Sequence, residues 1–362
     1  FLADASGGLP AAGTIADAEP YRRTLGLDEI GQPSVQGTIY QGGFTYLQGG
    51  MSASFSDMLG DRSLGIGAQF GGTLEDIGGG LVYVNRRHRV NWAASVGVSP
   101  YAIGYLTRQD NPTDITVREV VERQVCRCAE AAASFPLNAT TRLEVSGAAQ
   151  SLTFSRDVRT SVYDPLSLVR TGLTTERIKT ADPLSLGLAS AALVRDSTFF
   201  GATGPLYGSR SRIEVGRSSG SLEYNTLLLD WRRYLMPFRP VTFAIRALHY
   251  GRYGLDSDSE RLIGLYTGYQ EFIHGYGVGS FRPAECPASG GVGDCGIFES
   301  LIGSRIAVVN VEVRAPLKGL LTGELEYGRL PIDVAAFFDS RLAWSAAESP
   351  TFAGGSRRVV RS

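Results

Sequence analysis

At 362 residues, with 43% of them hydrophobic and a mean hydropathy of -0.02, the chain carries enough apolar material for a large buried or lipid-facing surface. That composition excludes an intrinsically disordered segment, and a formal net charge of -1 offers no basic face to nucleic acid, which is excluded as a partner. No run approaches the roughly 18 consecutive apolar residues of a spanning helix, so any crossing of a membrane has to be made by strands.

Residues 1–20 are rich in Ala, Gly and Asp, lack the basic and apolar regions of a signal peptide, and read as a periplasmic linker. Residues 21–362 read as one β unit. Among the 35 basic residues only Lys179 and Lys318 are lysines, which fits either an Arg-favouring genome or a water-filled lumen lined with guanidinium and carboxylate groups. Two-residue alternation recurs along the chain. Val241, Phe243, Ile245 and Ala247 interleave with Thr242, Arg246 and other residues, and Val309, Val311 and Val313 interleave with Asn310, Glu312 and Arg314.

The pattern predicts strands near 22–31, 45–57, 62–71, 78–86, 89–98, 115–135, 140–156, 185–196, 208–218, 222–235 and 240–252, then one very long connection over 253–303. Two more are expected near 304–315 and 332–344. Several runs match the ~9–11 residues of a tilted membrane strand. Tight links such as Met58–Asp61, Arg87–His88, Pro136–Ala139 and Met236–Arg239 alternate with long ones, the outer-membrane pattern in which the short turns are periplasmic. The fold class is therefore all-β, a transmembrane antiparallel barrel. Val309, Val311, Val313, Phe243 and Ile245 should face lipid, while Trp92, Trp231, Tyr234 and Trp344 read equally well as interfacial or core aromatics.

Within the long connection comes Ile273-His274-Gly275-Tyr276, and after it a strand with Asn310-Val311-Glu312-Val313-Arg314-Ala315-Pro316-Leu317. These segments, with Phe337-Phe338-Asp339-Ser340-Arg341, resemble the BamA-type outer-membrane assembly-factor superfamily, also called the bacterial surface antigen family. The resemblance implies a sixteen-strand barrel whose last strands are incomplete here, and a loop folded back into the lumen. It also implies insertion or transport of proteins, with lipid and periplasmic proteins as partners. Ser54-Phe55-Ser56-Asp57-Met58-Leu59-Gly60-Asp61 resembles the branch with an upstream propeller-like region.

Two positions depart from the family pattern: its loop Arg is His274, which is charged only when protonated, and a wall Gly is Arg341. Asn310, Glu312, Arg314, Asp339 and Arg341 are the candidate wall partners of the loop, the alternative being a generic polar lining. Arg341 and Asp339 are two apart and share a face, so the missing charge is expected on the wall.

Cys286 and Cys295 flank a Gly-rich stretch and are the disulfide candidates, whereas Cys126 and Cys128, two apart on a strand, are expected to be free. Three scattered histidines suggest no metal site, and no nucleophile elbow, metalloprotease motif or phosphate loop is visible. No cofactor and no enzymatic activity are expected. An outer-membrane anchor or surface antigen that displays its loops and holds a periplasmic domain is the alternative to transport.

Overall fold

Alternation with a period of two dictates the architecture, because each strand then presents one apolar and one polar or small face. The computed structural model describes residues 24–39, 45–71, 73–275, 300–329, 331–347 and 350. Its strands are β1 (Gly26–Ile30), β2 (Ser34–Ile39), β3 (Thr45–Ser56), β4 (Arg62–Gly71), β5 (Thr73–Asn85), β6 (Asn91–Asp110), β7 (Ile115–Pro136), β8 (Thr141–Tyr163) and β9 (Arg170–Asp196). There follow β10 (Phe199–Phe200), β11 (Pro205–Gly220), β12 (Tyr224–Phe238), β13 (Val241–Tyr253), β14 (Leu265–Tyr266), β15 (Ile302–Gly303), β16 (Arg305–Pro316) and β17 (Asp333–Trp344).

The main sheet is a meander in the order β1-β3-β4-β5-β6-β7-β8-β9-β11-β12-β13-β16-β17, with antiparallel neighbours throughout. Eleven of its strands precede the long connection and two follow it, as the alternation predicts. β1 and β2 pair in succession with the same strand, β3, and Pro33, which has no N–H to donate, sits in the gap between them. The chain is thus an all-β wall of the outer-membrane barrel type.

Strand length divides the wall into a spanning and a projecting part. The twelve residues of β16 or β17, at ~3.3 Å each and ~40° of tilt, rise roughly 30 Å, the thickness of a bilayer's hydrocarbon. β6, β7, β8 and β9 have 20, 22, 23 and 27 residues and continue past that height as a four-stranded ribbon. The stretches 99–114 and 157–184, read from sequence as long links, are therefore mostly strand. On β9 the stretch Arg170 to Asp182 is exposed on both faces, so the apolar-polar alternation that marks a half-buried strand fades there.

A register break lies where the ribbon leaves the wall: Leu152 pairs with Leu184 but Phe154 with Ala181, leaving Asp182 and Pro183 without ladder partners. Proline is tolerated at such a bulge because it removes no ladder bond there. The ribbon and the long connection share one end of the wall, the loop end. The connections 57–61, 86–90, 137–140 and 239–240 share the other, the turn end. That end also carries the link between β16 and β17, which contains a short helix, α1 (Leu317–Thr322), that the periodicity did not reveal.

The outer face bears exposed apolar side chains on successive strands, among them Met51, Ile66, Leu81, Val96, Ile213 and Val309. Phe243 pairs with Val313 and Ile245 with Val311, so the expected lipid-facing set shares this face with Val309. Inside, β3 to β6 present Ser52, Ser54, Gly65, Gly67, Gly80 and Gly97, and the strands pack closely. A Cβ on neighbouring Gly79 would lie 2.7 Å from the Gly67 carbonyl oxygen, so glycine is required there.

Cys126 and Cys128 are joined in a disulfide, contrary to the expectation that they are free. Their side chains stand on one face with the Cα atoms 5.8 Å apart, inside the usual disulfide range, so neighbouring same-face positions on this strand can be bridged. Alkylation of the denatured protein is expected to leave both thiols unlabelled until a reductant is added, and labelling before reduction would refute the bond. Cys286, Cys295 and Tyr276 lie outside the described residues, as do residues 1–20.

Candidate functional site

Register brings three polar side chains into one row on the inner face. Arg246 of β13 pairs with Asn310 of β16, and Asn310 with Asp339 of β17. The next row towards the loop end is apolar on two strands, Leu248 and Val308, followed by Arg341. Against these rows lies the segment 265–275 of the long connection. It is shaped by the β14–β15 pair and by a turn in which the N–H groups of Phe272 and Ile273 both donate to the Tyr269 carbonyl at 3.0 Å.

Asp339 is the anchor. Its side chain is 5% exposed. Oδ2 accepts the His274 backbone N–H and faces His274 Nδ1, each at 2.8 Å, while Oδ1 accepts from Asn310 Nδ2 at 2.7 Å. The Asn310 amide also donates to the Phe272 carbonyl at 2.7 Å, so one side chain ties the strand to both the carboxylate and the loop. The imidazole of His274 stacks on Phe337, with 4.1 Å between ring centroids. From β13, Arg246 donates to the Glu271 carbonyl at 2.7 Å and lies over the Phe272 ring. Arg341 donates to the Ser300 carbonyl at 2.7 Å, at the far end of the same connection.

Apolar packing completes the contact. Ile273 and Leu301 are buried against Tyr266 and Phe272, while Leu265 and Phe272 pack on the wall cluster Leu248, Ile306 and Val308. Burying such side chains stabilises by about 1.5–3 kcal/mol each, comparable to the contribution of a hydrogen bond to a charged group. The loop is therefore held by polar and apolar contacts of similar size.

Of the residues singled out from sequence, Ile273, His274, Asn310, Asp339 and Arg341 come together here, with Gly275 at a φ of 82° closing the described part of the segment. Glu312 and Arg314 do not touch this segment. Arg314 pairs with Glu312 at 3.4 Å and donates to the Pro205 carbonyl, so both serve the turn that leads into β11. Sequence reading did not isolate Asp230, which binds Arg232 at 2.7 Å and Arg246 at 3.1 Å and so orients the arginine that holds Glu271. Its signal was the alternation of charges on β12. Farther round the same wall, Glu144 lies 2.6 Å from both Arg142 and Arg212, and Arg212 also pairs with Glu214.

No family model matches the chain, and no curated protein matches it. Among solved structures, BamA from Haemophilus ducreyi lacking POTRA domains 1-3 aligns over 90% of this chain and 59% of that one, at 12% identity and a TM-score of 0.46. The chain spans about three-fifths of the length of that structure.

Proposed function

We propose that this chain is the membrane-spanning barrel of an outer-membrane protein that inserts or translocates polypeptides, with its loop end outside and its turn end in the periplasm. The observation that carries the reading is the segment 265–275 latched through Asp339 and Asn310 to β16 and β17, the last strand of the described sheet. A polypeptide moving through or beside the barrel has to displace such a segment, and hydrogen bonds of this strength are reversible. The work is non-enzymatic and uses no cofactor. Lipid and periplasmic proteins are the partners, residues 1–20 link to an upstream periplasmic domain, and that domain is of the propeller-like type.

A second reading, an anchor that displays surface structure, is favoured by one feature, the four-stranded ribbon that β6 to β9 raise beyond the membrane. The two part company in reconstituted vesicles. Full-length protein is expected to accelerate membrane folding of a denatured β-barrel client severalfold over empty vesicles. Equal rates would remove insertion and leave the anchor.

A further inference from the structure

On the outer face, where β13, β16 and β17 reach the loop end, four side chains form a cluster unrelated to the latch. Arg305 shares its face with Val309, Trp344 with Phe338, and His249 and Tyr253 with Ile245, and Arg305 pairs directly with Trp344 in the ladder. They terminate the spanning length of their strands, at the level of the lipid headgroups. His249 Nδ1 donates to the Ile306 carbonyl at 3.0 Å, since a carbonyl can only accept. In that neutral tautomer its Nε2 accepts the Tyr253 hydroxyl at 2.6 Å, and the imidazole stacks on Trp344 with centroids 5.7 Å apart. The two rings are thereby fixed in place.

Arg305 lies over the Tyr253 ring at 4.7 Å and donates Nε to the Arg252 carbonyl at 3.3 Å. Among the described residues no carboxylate pairs with it, and neither of its Nη nitrogens meets a protein acceptor. Arg217, also on the outer face at the loop end, is by contrast paired with Glu223 at 3.2 Å. A guanidinium held over a ring, with neither Nη group engaged by the protein, is preorganised for two parallel bonds to phosphate oxygens. The surface around it is continuous with the apolar band that meets lipid, so the anion able to reach it is one carrying acyl chains.

We propose that Arg305, oriented by Tyr253, His249 and Trp344, binds the phosphate of a lipid headgroup in the loop-end leaflet. The site is independent of the loop latch and of any transport activity, and requires only that the barrel sit in a bilayer.

The test uses the full chain folded in zwitterionic micelles, with Trp92→Phe and Trp231→Phe leaving Trp344 as the reporter. Short-chain phosphatidic acid is expected to change the Trp344 fluorescence saturably. Arg305→Gln should weaken the apparent affinity about tenfold, the effect of losing roughly 1.4 kcal/mol, and Arg305→Lys, which keeps the charge but loses the fork, should fall between. An unchanged titration in Arg305→Gln would overturn the proposal. So would an equal response to diacylglycerol of the same chain length, which would report acyl contact alone, or to inorganic phosphate at the same concentration, which would make this a free-anion site. If Arg305→Gln does not fold, the Lys variant decides, since binding as tight as wild type refutes the bidentate geometry.

Discussion

Asp339→Ala is expected to free the segment 265–275 from the inner wall while the barrel itself stays folded. The buried carboxylate accepts three hydrogen bonds, two from His274 and one from Asn310. Its removal leaves the Asn310 amide nitrogen with the Phe272 carbonyl alone, beside an Oδ1 that is already buried without a partner. Hydrogen bonds to a charged group contribute about 1.5–3 kcal/mol each, and they share one acceptor here, so a loss of about 3 kcal/mol is the expectation, or roughly a hundredfold in the opening equilibrium.

Amide hydrogen exchange checks this directly. Protection of Thr267, Phe272 and His274 should collapse in Asp339→Ala while protection in β11 to β13 is retained. His274→Ala should do less, because the backbone N–H of residue 274 still donates to Asp339 and the lost imidazole is half exposed, where water competes for its hydrogen bond. Equal effects of the two substitutions would mean that the ring, and not the carboxylate, holds the loop.

The sequence was most legible where one face of a strand meets lipid and the other meets water. β16 is the clearest example: Val309, Val311 and Val313 alternate with Asn310, Glu312 and Arg314, and the predicted strand differs from the observed one by a single residue at each end. Legibility failed on β9, where Arg170 to Asp182 runs through Thr, Glu, Arg and Lys with water on both sides and no face to mark. Only pairing to β8, from Tyr163↔Arg170 to Phe154↔Ala181, makes that stretch a strand, and pairing is a long-range property.

The latch was legible in its chemistry and less so in its membership. His274 and Asp339 could be matched because a carboxylate in a partly enclosed wall needs a donor. Asn310, Glu312 and Arg314 share a face and cannot be ranked from alternation alone. Height along β16 separates them: Asn310 sits level with Phe272 and Asp339, whereas Arg314, four residues nearer the turn end, reaches Pro205.

Arg123→Ala is expected to loosen the base of the projecting ribbon, by a mechanism that pH can expose. Nε of Arg123 donates to Asp76 at 2.6 Å and Nη1 to Asp157 at 2.6 Å, while Arg177 reaches Asp157 from β9 at 2.7 Å. The side chains of Arg123 and Asp76 are each 3% exposed, and the irregular β4–β5 register between Gln69 and Gly71 is what delivers Asp76 to the ribbon. Removing one member of a buried ion pair costs about 3–5 kcal/mol, mostly because the partner is left as a buried charge without its guanidinium. Asp76→Asn should therefore relieve part of the damage in the double variant, which a double-mutant cycle read by hydrogen exchange in β7 and β8 would measure.

Asp157 lies on the ribbon, outside the spanning height. The hydrogen bond from Arg177 holds its carboxyl below the ordinary aspartate range, burial opposes this, and Arg123 adds a second lowering bond. A carboxyl depressed in the folded state contributes stability that is fully present above its unfolded pKa of about 3.9 and is lost as pH falls through the lower folded value. Without Arg123 the depression shrinks, because Arg177 alone remains, so the ribbon of Arg123→Ala should be weaker at neutral pH yet lose less on acidification than wild type. A variant whose protection falls with acid as steeply as wild type would show that Arg123 does not couple to Asp157.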